Sequence, residues 1–199
     1  MNNAYEEMHK SLAAEIAAEG MVLLKNNGCL PLDKEKKSIA LYGIGARQTV
    51  KGGTGSGDVN TRSFVSVEEG LESSGFEIIT KELLDEYDTV LCKERDNYNK
   101  SIQALSEKGV MTALGSMLGK PFKAPDMAKI RFADCERFKA EFAVYVLSRN
   151  SGEGADRKNE KGDYLLSDNE ISFIVNRAYI NNSANIQKQD KPLIVFRKK

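Results

Sequence analysis

The chain is poor in several residue types on which chemistry and compartment depend. Among its 199 residues there is one histidine, His9. A Ser-His-Asp triad within the chain would need His9 as its base, and a multi-histidine metal site is excluded. Cysteine occurs three times, as Cys29, Cys92 and Cys135, widely spaced and without a C-x-x-C pair. Neither a disulfide framework nor a zinc site is indicated, and a reduced, cytoplasmic setting is expected. Charge of one sign is not in excess. Lys plus Arg is 29 and Asp plus Glu is 29, so the net charge is zero. A nucleic-acid binder shows a basic excess, so no nucleic-acid partner is expected. No run approaches the roughly 18 apolar residues of a membrane span. The start, Met1 to Lys10, is polar and carries Glu6 and Glu7, unlike the basic and apolar opening of a signal peptide. Nothing calls for a cofactor or a metal.

What is present suits a folded domain. Hydrophobic residues make up 41% of the chain, enough for a core, and residues 1–199 are taken as one domain. From Ala4 to Lys25, apolar residues recur at helical steps (Met8, Leu12, Ile16, then Val22 and Leu23), with Asn26-Asn27-Gly28 as the stop. Ser38 to Gly45 (SIALYGIG) reads as a buried strand ending in glycines. Val65 to Ser74 reads as a helix, with Ser66 as N-cap, Glu69 three residues on and Gly75 as C-cap. Phe76 to Thr80 reads as a second strand. Leu83 to Glu107 is charged and helical, whereas Gly109 to Pro125 shows no clear period. Residues from about 81 to 139 therefore read as an irregular and helical insertion, closed by a short helix from Asp134 to Lys139. Phe142 to Ser148 (FAVYVLS) is the clearest strand, Ser167 to Ala178 a helix with a capping box from Ser167 and Glu170, and Pro192 to Phe196 a last strand. Alternating helices and strands predict an α/β fold, a three-layer α/β/α sandwich on a mostly parallel sheet.

Two loops follow strands at what should be one edge of that sheet, Gly43 to Asp58 and Ser148 to Asp163. The carboxyl edge of a parallel sheet is where ligands bind. The first loop contains Gly43-Ile44-Gly45, but Gln48 stands where a dinucleotide fingerprint needs glycine. Its Lys51-Gly52-Gly53-Thr54-Gly55-Ser56-Gly57-Asp58 run puts Asp58 where a phosphate loop needs lysine. Nucleotide binding is thus opposed, and a plain flexible turn is the alternative. The second loop, Ser151-Gly152-Glu153-Gly154, sets a carboxylate between two glycines just after a buried strand, with Asp156 and Arg157 close behind. Such a carboxyl group suits general acid/base work; a solvated loop glutamate is the bland alternative. A retaining glycosidase also needs a second carboxylate about 5 Å away. Asp58 and Asp163 are the loop candidates, and neither is marked as a nucleophile.

Four stretches resemble the α/β sandwich domain of glycoside hydrolase family 3, which includes many β-glucosidases and β-xylosidases. They are Ala14 to Leu32 (AEIAAEGMVLLKNNGCLPL), Ile39 to Gly45, Lys51 to Asn60 (KGGTGSGDVN) and Ser148 to Glu170 (SRNSGEGADRKNEKGDYLLSDNE). The last is the most specific. The resemblance implies that Glu153 is the acid/base of a retaining β-glycosidase. The loop carrying Gly53, Ser56, Gly57 and Asp58, together with Ser151, would line the cleft edge, and Asp156 and Arg157 would shape the acid/base loop. It further implies a β-linked oligosaccharide or glucoside as substrate, and a barrel domain that supplies the aspartate nucleophile from elsewhere. No barrel segment is found in the chain, and the sandwich opens it, as in the family's reversed domain order. The expectation is a truncated enzyme, inactive by itself. The competing expectation is a non-catalytic module that binds carbohydrate or a partner.

Overall fold

The computed structural model describes residues 4–26, 28–33, 35, 37–52, 59, 61, 63–120, 122–130, 132–138, 140–150, 156–183 and 193–197. They fall into two compact units, residues 1–35 and 36–199.

The first unit contains helix α1 (Ala4–Glu19). It ends earlier than the periodicity predicts. Gly20 is the reason: a glycine costs about 1 kcal/mol in a helix interior, and β-branched Val22 follows. The chain closes with Gly20 N donating to Ile16 O and Met21 N to Ala18 O. Further on, the Asn26 side chain organises the turn foreseen there. Its Oδ1 accepts from Gly28 N and Leu30 N, and its Nδ2 donates to Leu30 O. Gly28 has φ +86°, a backbone state that costs glycine nothing.

The second unit is built on a four-stranded, wholly parallel sheet. In chain order its elements are β1 (Ser38–Tyr42), α2 (Val67–Ser73), β2 (Glu77–Ile78), α3 (Lys81–Ser106), α4 (Val110–Gly119), α5 (Phe132–Arg137), β3 (Phe142–Leu147), α6 (Asp168–Ser183) and β4 (Leu193–Arg197). The strand order is β2-β1-β3-β4. β3 (FAVYVL) is buried along its whole length, the continuous apolar run of a central parallel strand. Ile39 pairs with Phe142 and Tyr42 with Tyr145, so β1 and β3 run side by side, with β3 continuing to Leu147 past the end of β1.

Period-two alternation sorts the side chains. Ala40 and Tyr42 of β1 share a cluster with Ala143, Tyr145 and Leu147 of β3 and with Phe173 of α6. Phe173 packs over two tyrosines that are neighbours on β1 and β3, 4.5 Å from the Tyr42 ring centroid and 4.8 Å from that of Tyr145. Both predicted capping boxes form. Ser66 Oγ accepts from Glu69 N while Glu69 Oε2 accepts from Ser66 N. Ser167 and Glu170 repeat the pattern at the start of α6.

The expected insertion is two helices and a return. α3 buries Leu84, Tyr87 and Leu91 on one face, the three- and four-residue spacing of an amphipathic helix. α4 is a regular helix where Gly109, Gly115 and Gly119 obscured any period. Met111, Ala113, Leu114, Met117 and Leu118 are strong helix formers, and they outweigh the glycines. The chain comes back along α3, with the Tyr98 hydroxyl donating to Lys120 O and the Tyr87 hydroxyl to Pro125 O. Burial, with Asp126 and Asp88 close by, pushes the Tyr87 hydroxyl up to about 12. Among the described residues, no helix is long and apolar enough to cross a membrane.

Candidate functional site

Because β1 and β3 are parallel neighbours, the loops that follow them leave the same carboxyl edge, as the sequence predicts. Gly43 and Gly45, which open the first loop, are needed for packing. Gly43 has φ +92°, and a Cβ there would lie 2.4 Å from Val146 O. A Cβ on Gly45 would lie 2.7 Å from a Val146 methyl carbon. These glycines let the β1 exit press against β3, which accounts for them without a nucleotide.

The stem of the first loop is closed by polar contacts. Thr49 Oγ1 donates to Gly45 O and accepts from Val67 N. Lys51 Nζ donates to Val59 O at 2.9 Å and to Thr61 Oγ1 at 3.1 Å, and it lies over the Phe64 ring. Lys51 thus bridges the two sides of the glycine loop. Beside the stem, Arg47 forms a paired contact with the Glu68 carboxylate through Nε and Nη2 and donates to Asp85 and Asp88. The hydrogen bond to Glu68 leads the other causes in holding its guanidinium more firmly protonated than usual. This hub links the end of β1 to α2 and α3.

The stem of the second loop is built around Arg149, the second residue after β3. Its side chain is 9% exposed and that of Glu170 is 7% exposed. Nη1 and Nη2 donate to the two carboxylate oxygens of Glu170. Nε donates to Asp163 O at 2.6 Å, and Nη1 also donates to Ser148 O at 2.9 Å. The Glu170 carboxylate raises the pKa of the guanidinium above its ordinary value. Asp163, weighed as a nucleophile candidate, caps backbone instead: its Oδ2 accepts from Lys158 N at 2.9 Å. Residues 158–165 are further knitted by backbone bonds, Asp163 N to Glu160 O, Tyr164 N to Lys158 O and Leu165 N to Glu160 O.

Of the expected site residues, Asp156 is exposed and Arg157 half-buried on the returning limb of this loop. Glu153, Ser151, Gly53, Ser56, Gly57 and Asp58 lie outside the described residues. Sequence reasoning missed Arg149 and Arg47 as anchors, and it read Glu170 only as a cap. The available signal was an arginine within five residues of each of two strand ends, with acidic residues in the helices that follow. A pocket beside the site is lined by Asp126, Ile130, Tyr145, Asn169, Glu170 and Phe173 and has room for little more than a water molecule, too little for a sugar ring. Burial leads the causes that raise the Tyr145 hydroxyl pKa, and the charges of Glu170 and Asp126 add to it. Among the described residues, no group of three His, Cys, Asp or Glu side chains could hold a metal ion.

Comparisons with known proteins agree with this architecture. Beta-glucosidase A of Butyrivibrio fibrisolvens is 35% identical over 154 residues, which is 76% of this chain and 16% of that protein. A beta-glucosidase of Ruminococcus albus is 29% identical over 164 residues, 81% of this chain and again 16% of the relative. The chain therefore spans about a sixth of the length of these relatives. Among solved structures, beta-glucosidase 3B from Thermotoga neapolitana in complex with alpha-D-glucose superposes with a TM-score of 0.68 at 32% identity, covering 98% of this chain and 24% of that one. Residues 21–195 match the family described as the Glycosyl hydrolase family 3 C-terminal domain. With a parallel sheet whose β1 and β3 loops share one edge, and with that match over most of its length, the chain belongs to the glycosyl hydrolase family 3 C-terminal domain family.

Proposed function

We propose that residues 1–199 form the acid/base-bearing domain of a retaining β-glycosidase acting on terminal β-linked glucosides. Glu153 is the general acid/base, and the aspartate nucleophile comes from a barrel domain outside residues 1–199. The observation that carries this reading is the Ser148 to Glu170 stretch. In sequence it carries S-G-E-G just after the central strand, and Arg149 holds the two stems of that loop. Glu153 protonates the glycosidic oxygen as the aglycone leaves and the glucosyl group bonds to the aspartate nucleophile. As a carboxylate it then takes a proton from the water that hydrolyses the glycosyl-enzyme. Gly53, Ser56, Gly57, Asp58 and Ser151 edge the cleft, and Asp156 and Arg157 shape the loop. By this reading the chain is inactive alone. A cytoplasmic setting suits three cysteines that form no disulfide.

The test adds a family barrel domain in trans and follows release of the phenol from an aryl β-glucoside. The mixture should turn over where neither part does. Glu153→Gln should lower the rate by about 10²–10⁴, and azide should restore turnover to Glu153→Ala with formation of a glycosyl azide. Turnover of the Glu153→Gln mixture at the unsubstituted rate would sink the assignment. A chain that binds β-glucosides in a titration while its mixture stays inert would support the non-catalytic module instead.

A further inference from the structure

We propose that Arg149 is a positioning residue for the acid/base loop, its guanidinium clasping both ends of residues 148–163 to the first turn of α6. The consequence for catalysis rests on the Glu153 reading; the clasp itself does not. An arginine serving only to neutralise Glu170 would need only the paired contact through Nη1 and Nη2. Arg149 does more. It also donates to Ser148 O, where the chain leaves β3, and to Asp163 O, where the loop returns. The carboxylate that orients it is itself oriented, because Glu170 Oε2 accepts from Ser167 N and Glu170 N donates to Ser167 Oγ. A chain of contacts therefore runs from the capping box of α6, through Glu170 and Arg149, to both stems of the loop that carries Glu153. The pair is shielded from solvent, so water does not readily replace these bonds. A planar fork can satisfy a carboxylate and two carbonyls together; an ammonium is a compact point charge without that fork. Arg149→Lys therefore keeps the charge opposite Glu170 and gives up the clasp.

Two measurements test this. In hydrogen exchange on the full chain, Arg149→Lys should speed the amides of Asp163, Tyr164 and Leu165 by about tenfold, leaving those of β3 and of α6 around Phe173 unchanged. Unchanged loop amides, or equal acceleration throughout β3, would overturn the clasp. In the mixture with a barrel domain, Arg149→Lys should lower kcat/KM for phenyl β-glucoside by about a hundredfold. It should lower kcat/KM for dinitrophenyl β-glucoside little, because that leaving group departs without protonation. A general folding defect lowers both alike, and that result would overturn the positioning role. Glu153→Gln is run beside it. If it lacks the leaving-group dependence, the Glu153 reading fails. If it shows the dependence and Arg149→Lys does not, the inference about Arg149 fails alone.

Discussion

Replacing Gly43 by alanine tests how closely the end of β1 approaches β3. Two separable costs are expected. Gly43 has φ +92° and ψ 149°, a region that is essentially restricted to glycine and costs other residues about 1–3 kcal/mol. The new Cβ would also lie 2.4 Å from Val146 O and 2.9 Å from Val146 C. Both are backbone atoms of the central strand, which cannot swing aside. Overpacking of this kind adds about 1–3 kcal/mol. The sum, about 2–6 kcal/mol, is a large part of the roughly 5–15 kcal/mol that holds a typical domain folded. Gly75 supplies the control. Its φ is +90°, but a Cβ there meets nothing within 4 Å. Gly75→Ala should therefore show the conformational cost alone, about 1–2 kcal/mol. Urea unfolding followed by far-ultraviolet circular dichroism measures both. If Gly43→Ala loses no more stability than Gly75→Ala, β1 does not press against Val146, and the packing account of the first glycines is wrong.

Three further outcomes are expected. Thr80 is fully buried; its hydroxyl accepts from Leu41 N at 2.9 Å and donates to Leu41 O at 2.7 Å. Thr80→Val strips partners from both backbone groups and should cost about 1–3 kcal/mol for each group left unpaired, whereas Thr80→Ser should retain most of the stability in the same denaturation assay. Phe173→Ala removes the ring that packs over Tyr42 and Tyr145 and should cost about 3–5 kcal/mol, with loss of near-ultraviolet tyrosine dichroism; an unchanged signal would contradict that stacking. Tyr87 ionises at about 12 when folded, against about 10 in an unfolded chain. Between those values the folded state binds more protons, so its stability is complete below the lower pH and falls as pH rises through the window. Tyr87→Phe should flatten that alkaline loss in a pH series of urea midpoints.

Much of the fold was legible because its signals are local. Ser66 with Glu69, and Ser167 with Glu170, lie one turn apart, and both pairs cap helices as their spacing predicts. The apolar run FAVYVL announced a central parallel strand, and the alternation of helices and strands announced a parallel sheet. The four stretches from Ala14 to Glu170 carried the family. Where local signals conflicted, the outcome needed the folded chain. Gly20 stopped α1 against an apolar period that continued to Leu23, and α4 formed in spite of Gly115 and Gly119 within it.

Apart from α4 and the early end of α1, the sequence by itself determined which segments become helix and strand, and which loop carries S-G-E-G, since capping, periodicity and glycine placement act over a few residues. Only the tertiary structure decided what holds that loop. Arg149 meets Glu170 across 21 residues and Arg47 meets Asp88 across 41. No spacing rule links such pairs. They form because parallel β1 and β3 run side by side, which brings the arginines that follow them to one edge, where the acidic residues of α2, α3 and α6 can meet them.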